Sequence, residues 1–326
     1  MIQARRRQVL IAVGTLLAAP RVLAQSGQVH RVAFLSGGRQ ADSAGVFSQF
    51  VERLRVLGYR EGQNLELDAR YADYSAEQAT KLAAEIAARK PVVILASGGG
   101  IAPAIRLSPP QSVVFVHSGA PVDAGYADSL SRPGRNATGI SLMALDLIVK
   151  RIEFLKEIRP KTSRMAFLAS PEHAGQKREL AASHAAAKQL GVEVVYYEVR
   201  NPAELASALP AVADAKPDAA LLFSDALMIG QRQELAAFFL KNKIPSAAGW
   251  SGFPDSVHLL SYGPERQAVW RRAADFVDRI IKGAKPSDLP IELPTVFELV
   301  VNQRTASAMN LTLPPTILLR ADRVIE

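Results

Sequence analysis

Short apolar runs alternate along most of this chain with longer segments in which apolar residues recur every three or four positions. Residues 31–36 form an apolar run that ends at Gly37-Gly38, and residues 46–57 follow with apolar side chains at helical spacing. The run predicts a buried parallel strand and the segment an amphipathic helix. Further strands are predicted over residues 64–71, 91–96, 112–117, 164–169, 192–199, 218–223 and 244–248. The alternation predicts an α/β protein with open, doubly wound parallel sheets.

An irregular stretch divides this alternation into two sets. Residues 118–139 contain several glycines and prolines, which mark connections between elements. We therefore predict two lobes of similar plan, with the first crossing between them in this stretch. After a predicted strand over 257–262 and a helix over 265–281, the remaining segments could run back across both lobes.

The first 24 residues have a different pattern. Arg5-Arg6-Arg7 precede an apolar run over 9–19, and Val22-Leu23-Ala24 follows it. This order is typical of a secretory signal peptide, and the run is shorter than the roughly 20 residues that span a bilayer. An uncleaved anchor is the alternative, and the paired arginines also fit a loose twin-arginine signal. We expect export to the periplasm by the general secretory or the twin-arginine route.

Composition argues against several classes of protein. Without residues 1–24 the chain keeps 35 basic against 31 acidic residues, scattered along its length, which does not predict nucleic-acid binding. The sequence has no cysteine, so disulfides, thiol catalysis and cysteine-bound zinc are excluded. The histidines lack metal-binding spacing, and residues 249–253 (GWSGF) lack the last glycine of a nucleophile elbow. We expect a binding protein without metal or cofactor, and not an enzyme.

Candidate binding residues lie where the predicted strands end, since ligands of open parallel sheets bind beyond the carboxyl ends of the strands. Ser97-Gly98-Gly99 suits a carboxylate or phosphate, although a glycine-rich turn without function is the alternative. Asp225 could bind an ammonium group or hydroxyls, or cap the helix that begins near Leu227. Trp250, Phe253 and Tyr262 could form an aromatic wall, or pack between the lobes. The candidate ligand-binding residues are Ser36, Gly37, Ser97, Gly98, Gly99, Ser118, Ser224, Asp225, Trp250 and Tyr262.

Several motifs, taken in order and spacing, resemble a known family. They are Leu57–Asn64 (LGYREGQN), Ser131–Ser141 (SRPGRNATGIS), Ser261–Gly263 (SYG), Lys282–Pro290 (KGAKPSDLP), Phe297–Asn302 (FELVVN) and Leu319–Glu326 (LRADRVIE). The chain resembles the ABC transporter substrate-binding proteins that include the tryptophan-binding lipoproteins, from about Val29 to its end. The sequence departs from the family at Ser97-Gly98-Gly99, where threonine and proline are commoner, and at Arg135, where glycine is usual.

The resemblance implies a type I periplasmic binding fold, in which two lobes joined by a hinge of several crossings hold a ligand in their cleft. It places residues 28–120 and about 263–283 in lobe 1, and residues 121–262, with the linker, in lobe 2. The lobe that residues 284–326 join is left open. The implied partners are a small-molecule ligand and the permease of an ABC importer in the inner membrane. With no lipobox cysteine, a soluble periplasmic monomer is expected.

The expected ligand is an amino acid with an aromatic or branched side chain. Its carboxylate would lie at the N–H groups after Ser97 in one lobe, and Asp225 in the other lobe would bind its ammonium group. Two alternatives stay open. The same fold could bind an organic acid, a nucleoside or a sugar, or the protein could be a periplasmic sensor module that docks on a membrane receptor.

Overall fold

The computed structural model describes residues 28–171, 176–249 and 257–326. The first part of the chain forms β1 (His30–Ser36), α1 (Gln40–Val56), β2 (Leu65–Tyr71), α2 (Ala76–Ala88), β3 (Val93–Ser97), α3 (Ile101–Ile105), β4 (Val113–His117) and β5 (Ala137–Ser141). The middle part forms α4 (Ala144–Ile158), β6 (Arg164–Ala169), α5 (Gln176–Gln189), β7 (Glu193–Glu198), α6 (Pro202–Asp214), β8 (Ala219–Leu222), α7 (Ala226–Gly230), α8 (Arg232–Lys241) and β9 (Ser246–Ala248). The last part forms β10 (Leu260–Pro264), α9 (Arg266–Ile281), β11 (Phe297–Asn302), α10 (Gln303–Ala308), α11 (Pro315–Arg320) and β12 (Arg323–Ile325).

Two sheets define two lobes. The sheet of lobe 1 has the order β2-β1-β3-β4-β5, and all of its pairings are parallel. The sheet of lobe 2 has the order β12-β11-β10-β9-β8-β6-β7, and only β10 and β11 pair antiparallel. In each lobe the first strand lies between the second and the third, the arrangement of a doubly wound sheet. The predicted α/β class with two doubly wound lobes is confirmed.

Local sequence signals account for where many helices begin. The Ser75 side chain accepts a hydrogen bond from Gln78 N at the start of α2, and the Asn201 side chain accepts one from Glu204 N at the start of α6. Such caps satisfy backbone donors that the first helical turn leaves open. Apolar strands supply the core between the helix layers, since residues 32–35 of β1 are almost fully buried.

The helix α9 belongs to lobe 1 although it follows the strands of lobe 2. It packs along α1, and its Trp270 ring meets Phe34 of β1 edge to face with ring centroids 5.8 Å apart. Burial of an aromatic side chain of this kind contributes about 1.5–3 kcal/mol. Arg53 of α1 also pairs with Asp275 of α9 at 2.7 Å. These contacts hold a late segment of the chain to the first sheet.

The chain crosses between the lobes after β5, after β10 and before β11. The predicted boundary at residue 121 is wrong, because Ala137–Ser141 pairs with β4 in lobe 1 and the first crossing follows it. This strand has a single bulky apolar residue, Ile140, and gave no apolar run that sequence analysis could detect. The second crossing follows Pro264 rather than residue 262. Of the tail, residues 286–292 contact β5, and β11 and β12 extend the sheet of lobe 2.

The predicted signal peptide at residues 1–24 lies outside the described residues. Within the described part of the chain, no helix combines the length and hydropathy that a membrane span needs.

Candidate ligand-binding site

A cavity of about 610 Å³ lies between the lobes, at the carboxyl ends of both sheets. It is lined by eight of the ten residues predicted from the strand ends: Ser36, Gly37, Ser97, Gly98, Gly99, Ser118, Ser224 and Asp225. In both lobes the lining includes the point where the strand order reverses, between β1 and β3 and between β6 and β8. This is the position at which doubly wound sheets hold ligands.

The floor of the cavity in lobe 1 is made of backbone. Gly37 N donates a hydrogen bond to Ser97 O at 3.0 Å, which joins the loops after β1 and β3. A Cβ at Gly37 would lie 2.3 Å from Gly99 N, and Gly98 has a φ of +54°. A larger residue at position 37 would push the two loops apart, and one at position 98 would be strained. The glycines let a ligand approach the backbone N–H groups of this floor.

Asp225 of lobe 2 caps α7. Its Oδ1 accepts a hydrogen bond from Met228 N at 2.9 Å, and its Oδ2 accepts one from Ser170 N at 2.8 Å. Asp225 therefore has the helix-capping role that the sequence offered as an alternative, and the two hydrogen bonds fix its carboxylate at the cavity wall. The neighbouring Ser224 Oγ is buried and has no hydrogen-bond partner among the described residues. A buried hydroxyl without a hydrogen bond costs about 1–3 kcal/mol of stability, so a ligand that forms a hydrogen bond with it would be favoured.

A charged cluster forms a second wall, which sequence analysis missed. The Tyr74 hydroxyl donates to Asp42 Oδ2 at 2.5 Å, and Arg266 lines the cavity beside them. Burial, with the Asp42 hydrogen bond, raises the pKa of Tyr74, which stays a neutral donor. Burial, together with the nearby charge of Arg232 and against the opposing charge of Asp42, lowers the pKa of Arg266 to about 10, so the guanidinium is still charged near neutral pH. Tyr74 follows β2, so extending the strand-end rule to that strand would have found it.

The predicted aromatic wall is partly wrong. Tyr262 does not line the cavity, because its ring packs inside lobe 2 against Phe154, with centroids 5.3 Å apart, and Phe297, 6.2 Å apart. Trp250 and Phe253 lie outside the described residues. The aromatic rings that do line the cavity include Tyr74 and Trp270.

The lobes touch across the cleft. A Cβ at Gly230 of α7 would lie 1.9 Å from Tyr74 Oη in lobe 1, and a Cβ at Gly98 would lie 3.5 Å from the Ala226 methyl group. Arg178 of α5 also pairs with Asp123 of the segment between β4 and β5. The structure therefore shows the lobes closed over the cavity.

A family model described as ABC transporter substrate binding protein matches residues 38–325 of this chain. A curated tyrosine-binding protein from Clostridioides difficile (strain R20291) is 22% identical over 264 residues, which cover 80% of this chain and 75% of the relative.

Solved structures of binding proteins have the same fold. The ABC domain from Streptococcus pneumonia in complex with L-Trp has a TM-score of 0.83 and 19% identity, covering 91% of this chain and 100% of that chain. A carbohydrate transporter solute binding protein from Agrobacterium Radiobacter in complex with D-arabinose has a TM-score of 0.63 and 12% identity, covering 89% and 98%.

Proposed function

The chain belongs to the family of ABC transporter substrate-binding proteins, and from that premise we propose that its ligand is an amino acid with an aromatic or branched side chain. Proteins of this family bind small molecules outside the cytoplasm and work with the permeases of ABC transporters; they are not enzymes. We infer that the cleft is the ligand site, because doubly wound sheets bind ligands where their strand order reverses. The identity of the ligand rests on the chemistry of the cavity.

The pairing of unlike polar groups on facing walls carries this proposal. Lobe 1 supplies backbone N–H groups at Gly98 and Gly99, and lobe 2 supplies the buried carboxylate of Asp225. Such walls complement a carboxylate and an ammonium group on one small molecule. The Ser224 hydroxyl would complete the polar contacts. Trp270 and Tyr74 would hold an aromatic or branched side chain.

Two of the relatives support an amino acid as the ligand. One of them is named a tyrosine-binding protein and another was solved with L-Trp. A sugar is the second candidate, because serine hydroxyls from both lobes line the cavity and a protein of the same fold holds D-arabinose. The carboxylate of Asp225 would then accept from sugar hydroxyls instead of an ammonium group.

We further propose that residues 1–24 are an export signal and that the mature chain acts in the periplasm as a monomer. It would pass its ligand to an inner-membrane permease. The arginines, the apolar run and the small residues of the N-terminal segment support export. Mass spectrometry of the secreted chain would show cleavage near Ala24 if this proposal holds, and an intact N-terminus would contradict it.

Calorimetric titration with L-tyrosine and with 3-(4-hydroxyphenyl)propanoate, which lacks the amine, tests the ligand proposal. We expect L-tyrosine to bind at least about tenfold more tightly, since one charge-assisted hydrogen bond contributes about 1.5–3 kcal/mol. Asp225→Asn should make the affinities for the two probes equal. Asp42→Asn shows whether the carboxylate of Asp42 also binds the ammonium group. Equal affinities for both probes in the unaltered protein would contradict the ammonium contact.

A further inference from the structure

The cavity continues beyond the strand ends into a groove between α2 and α3, which we call the side arm. One face of α2 and one face of α3 line it: Ala76, Thr80, Ala83 and Ala84 on α2, with Ala102, Pro103, Arg106, Leu107 and Ser108 on and after α3. None of the binding residues predicted from the sequence lies in this groove. It is a part of the cavity that the strand-end argument does not explain.

The side arm leads from the buried strand ends to the protein surface. Among the residues that line the side arm, Ala83 is buried, with 1% of its surface exposed, whereas Thr80 and Ala84 are exposed. Positions separated by three and four residues lie on one helical face, and alanine there leaves the space between the helices open. The groove is therefore a consequence of small side chains along one stripe of α2 that faces α3.

The whole cavity has the size of a site for a drug-sized ligand. Its volume of about 610 Å³ lies inside the range of roughly 300–1,000 Å³ that holds drug-sized ligands. An amino-acid head at Ser97 and Asp225 would occupy the strand ends and leave the side arm vacant. A longer ligand would bury more apolar surface there.

The outer end of the side arm is cationic. Arg106 is exposed, and its guanidinium makes no ion pair with any residue in the described part of the chain. No acidic residue is among those that line the side arm. The rest of the groove is apolar through Ala83, Ala102 and Pro103. The polar floor at the strand ends, the apolar groove and the exposed guanidinium together match the chemistry of an elongated ligand.

We propose that the side arm is a second subsite, which takes the far end of an elongated amino acid and binds an anionic group at its tip through Arg106. This inference rests on the proposed function, because it needs the amino-acid head at the strand ends. It narrows the ligand class to amino acids with an extended side chain that ends in a carboxylate, phosphate or sulfate.

Titration of the mature protein with three tyrosine probes tests the second subsite. L-tyrosine reports the head site, O-methyl-L-tyrosine is a neutral extension, and O-phospho-L-tyrosine is an anionic one. We expect the anionic probe to bind about two- to fivefold more tightly than the neutral one at low ionic strength, because Arg106 is exposed and screened by water. High salt should reduce this preference.

Two pairs of variants locate the effect. Arg106→Gln should abolish the preference for the anionic probe, whereas Arg60→Gln, at an exposed arginine outside the cavity lining, should keep it. Ala84→Phe should fill the side arm and weaken both extended probes more than L-tyrosine. Ala88→Phe, at an exposed position of α2 outside the lining, is its control.

The result for L-tyrosine separates the two proposals. If L-tyrosine binds and the anionic probe shows no preference, or keeps it in Arg106→Gln, the second subsite is overturned and the proposed function stands. If L-tyrosine binds but neither extension does, the side arm does not take the far end of the ligand. If none of the three probes binds, the amino-acid ligand fails and the second subsite fails with it.

Discussion

Gly230 lies at a close contact between the two lobes. It ends α7 of lobe 2 opposite the Tyr74 hydroxyl, which is held by Asp42 and covered by the Arg39 guanidinium 5.3 Å from the ring centroid. A Cβ at position 230 would lie 1.9 Å from Tyr74 Oη and 2.8 Å from Asp42 Oδ2. Because these atoms belong to the other lobe, Gly230→Ala should obstruct closure without crowding lobe 2 itself.

The cost of this methyl group can be estimated from the geometry. Ordinary contact begins at 3.4 Å, so a separation of 1.9 Å must grow by about 1.5 Å. The Tyr74 ring is stiff and hydrogen-bonded, and overpacking of this kind costs about 1–3 kcal/mol. The free energy of closing the lobes over the ligand would become less favourable by this amount, so ligand affinity should fall about five- to 150-fold. The open form avoids the contact, and alanine favours a helix over glycine by about 0.8–1 kcal/mol.

Calorimetric titration with L-tyrosine and thermal unfolding of the ligand-free protein together test this reasoning. Gly230→Ala should raise the Kd and leave the ligand-free Tm unchanged or slightly higher. Gly45→Ala in α1 is the matched control, since a Cβ there has open space within 4 Å. Adding Tyr74→Phe, which removes Oη, should recover part of the affinity. An unchanged Kd in Gly230→Ala, or an equal loss in Gly45→Ala, would refute closure at this contact.

Three further predictions follow from the described contacts. Ser224→Ala should lower ligand affinity about two- to tenfold and leave the ligand-free Tm unchanged or higher, because the buried Ser224 hydroxyl lacks a partner among the described residues. The Ser261 hydroxyl is in the same state but lies outside the cavity lining, so Ser261→Ala should leave ligand affinity unchanged. Burial lowers the pKa of His258 from 6.5 to about 4, so the free energy of unfolding in urea should be unaffected by this group above pH 6.5 and should fall by about 3 kcal/mol as the pH is lowered toward 4. His258→Gln should remove that pH dependence. Asp123→Asn breaks a solvent-exposed pair between the lobes, so affinity should fall less than about fivefold, and by less still in about 1 M salt; a larger or salt-independent loss would contradict this.

Strand ends were the most informative part of the sequence. An apolar run followed by serine or glycine, as at Ser36-Gly37 and Ser97-Gly98, marks both a buried parallel strand and its functional end. Because parallel strands end at one edge of a sheet, eight of the ten candidate residues line one cavity. Asp225 was assigned two roles from the sequence, and its position directly before α7 made the capping role predictable.

The features that sequence analysis missed depend on contacts between distant segments. Arg266 and Trp270 reach the cavity because α9 packs against lobe 1; the family resemblance implied that placement, but no local pattern identified these two side chains as lining residues. Tyr262 is half-buried between buried residues of β10, and its side chain packs against the apolar cluster of lobe 2 rather than lining the cleft. The side arm likewise needs α2 and α3 to be placed side by side, which a stripe of alanines alone does not predict.

Thermal unfolding of the mature chain, refolded to strip bound ligand, decides whether the cleft binds an amino acid or another class of ligand. A panel of amino acids, organic acids, nucleosides and sugars, with D-arabinose among them, would be added at saturating concentration. A ligand at 100 times its Kd adds about 2.7 kcal/mol to the free energy of unfolding, a shift of several degrees in Tm. We predict that aromatic or branched amino acids raise the Tm. A rise with sugars, nucleosides or organic acids and none with amino acids would contradict it.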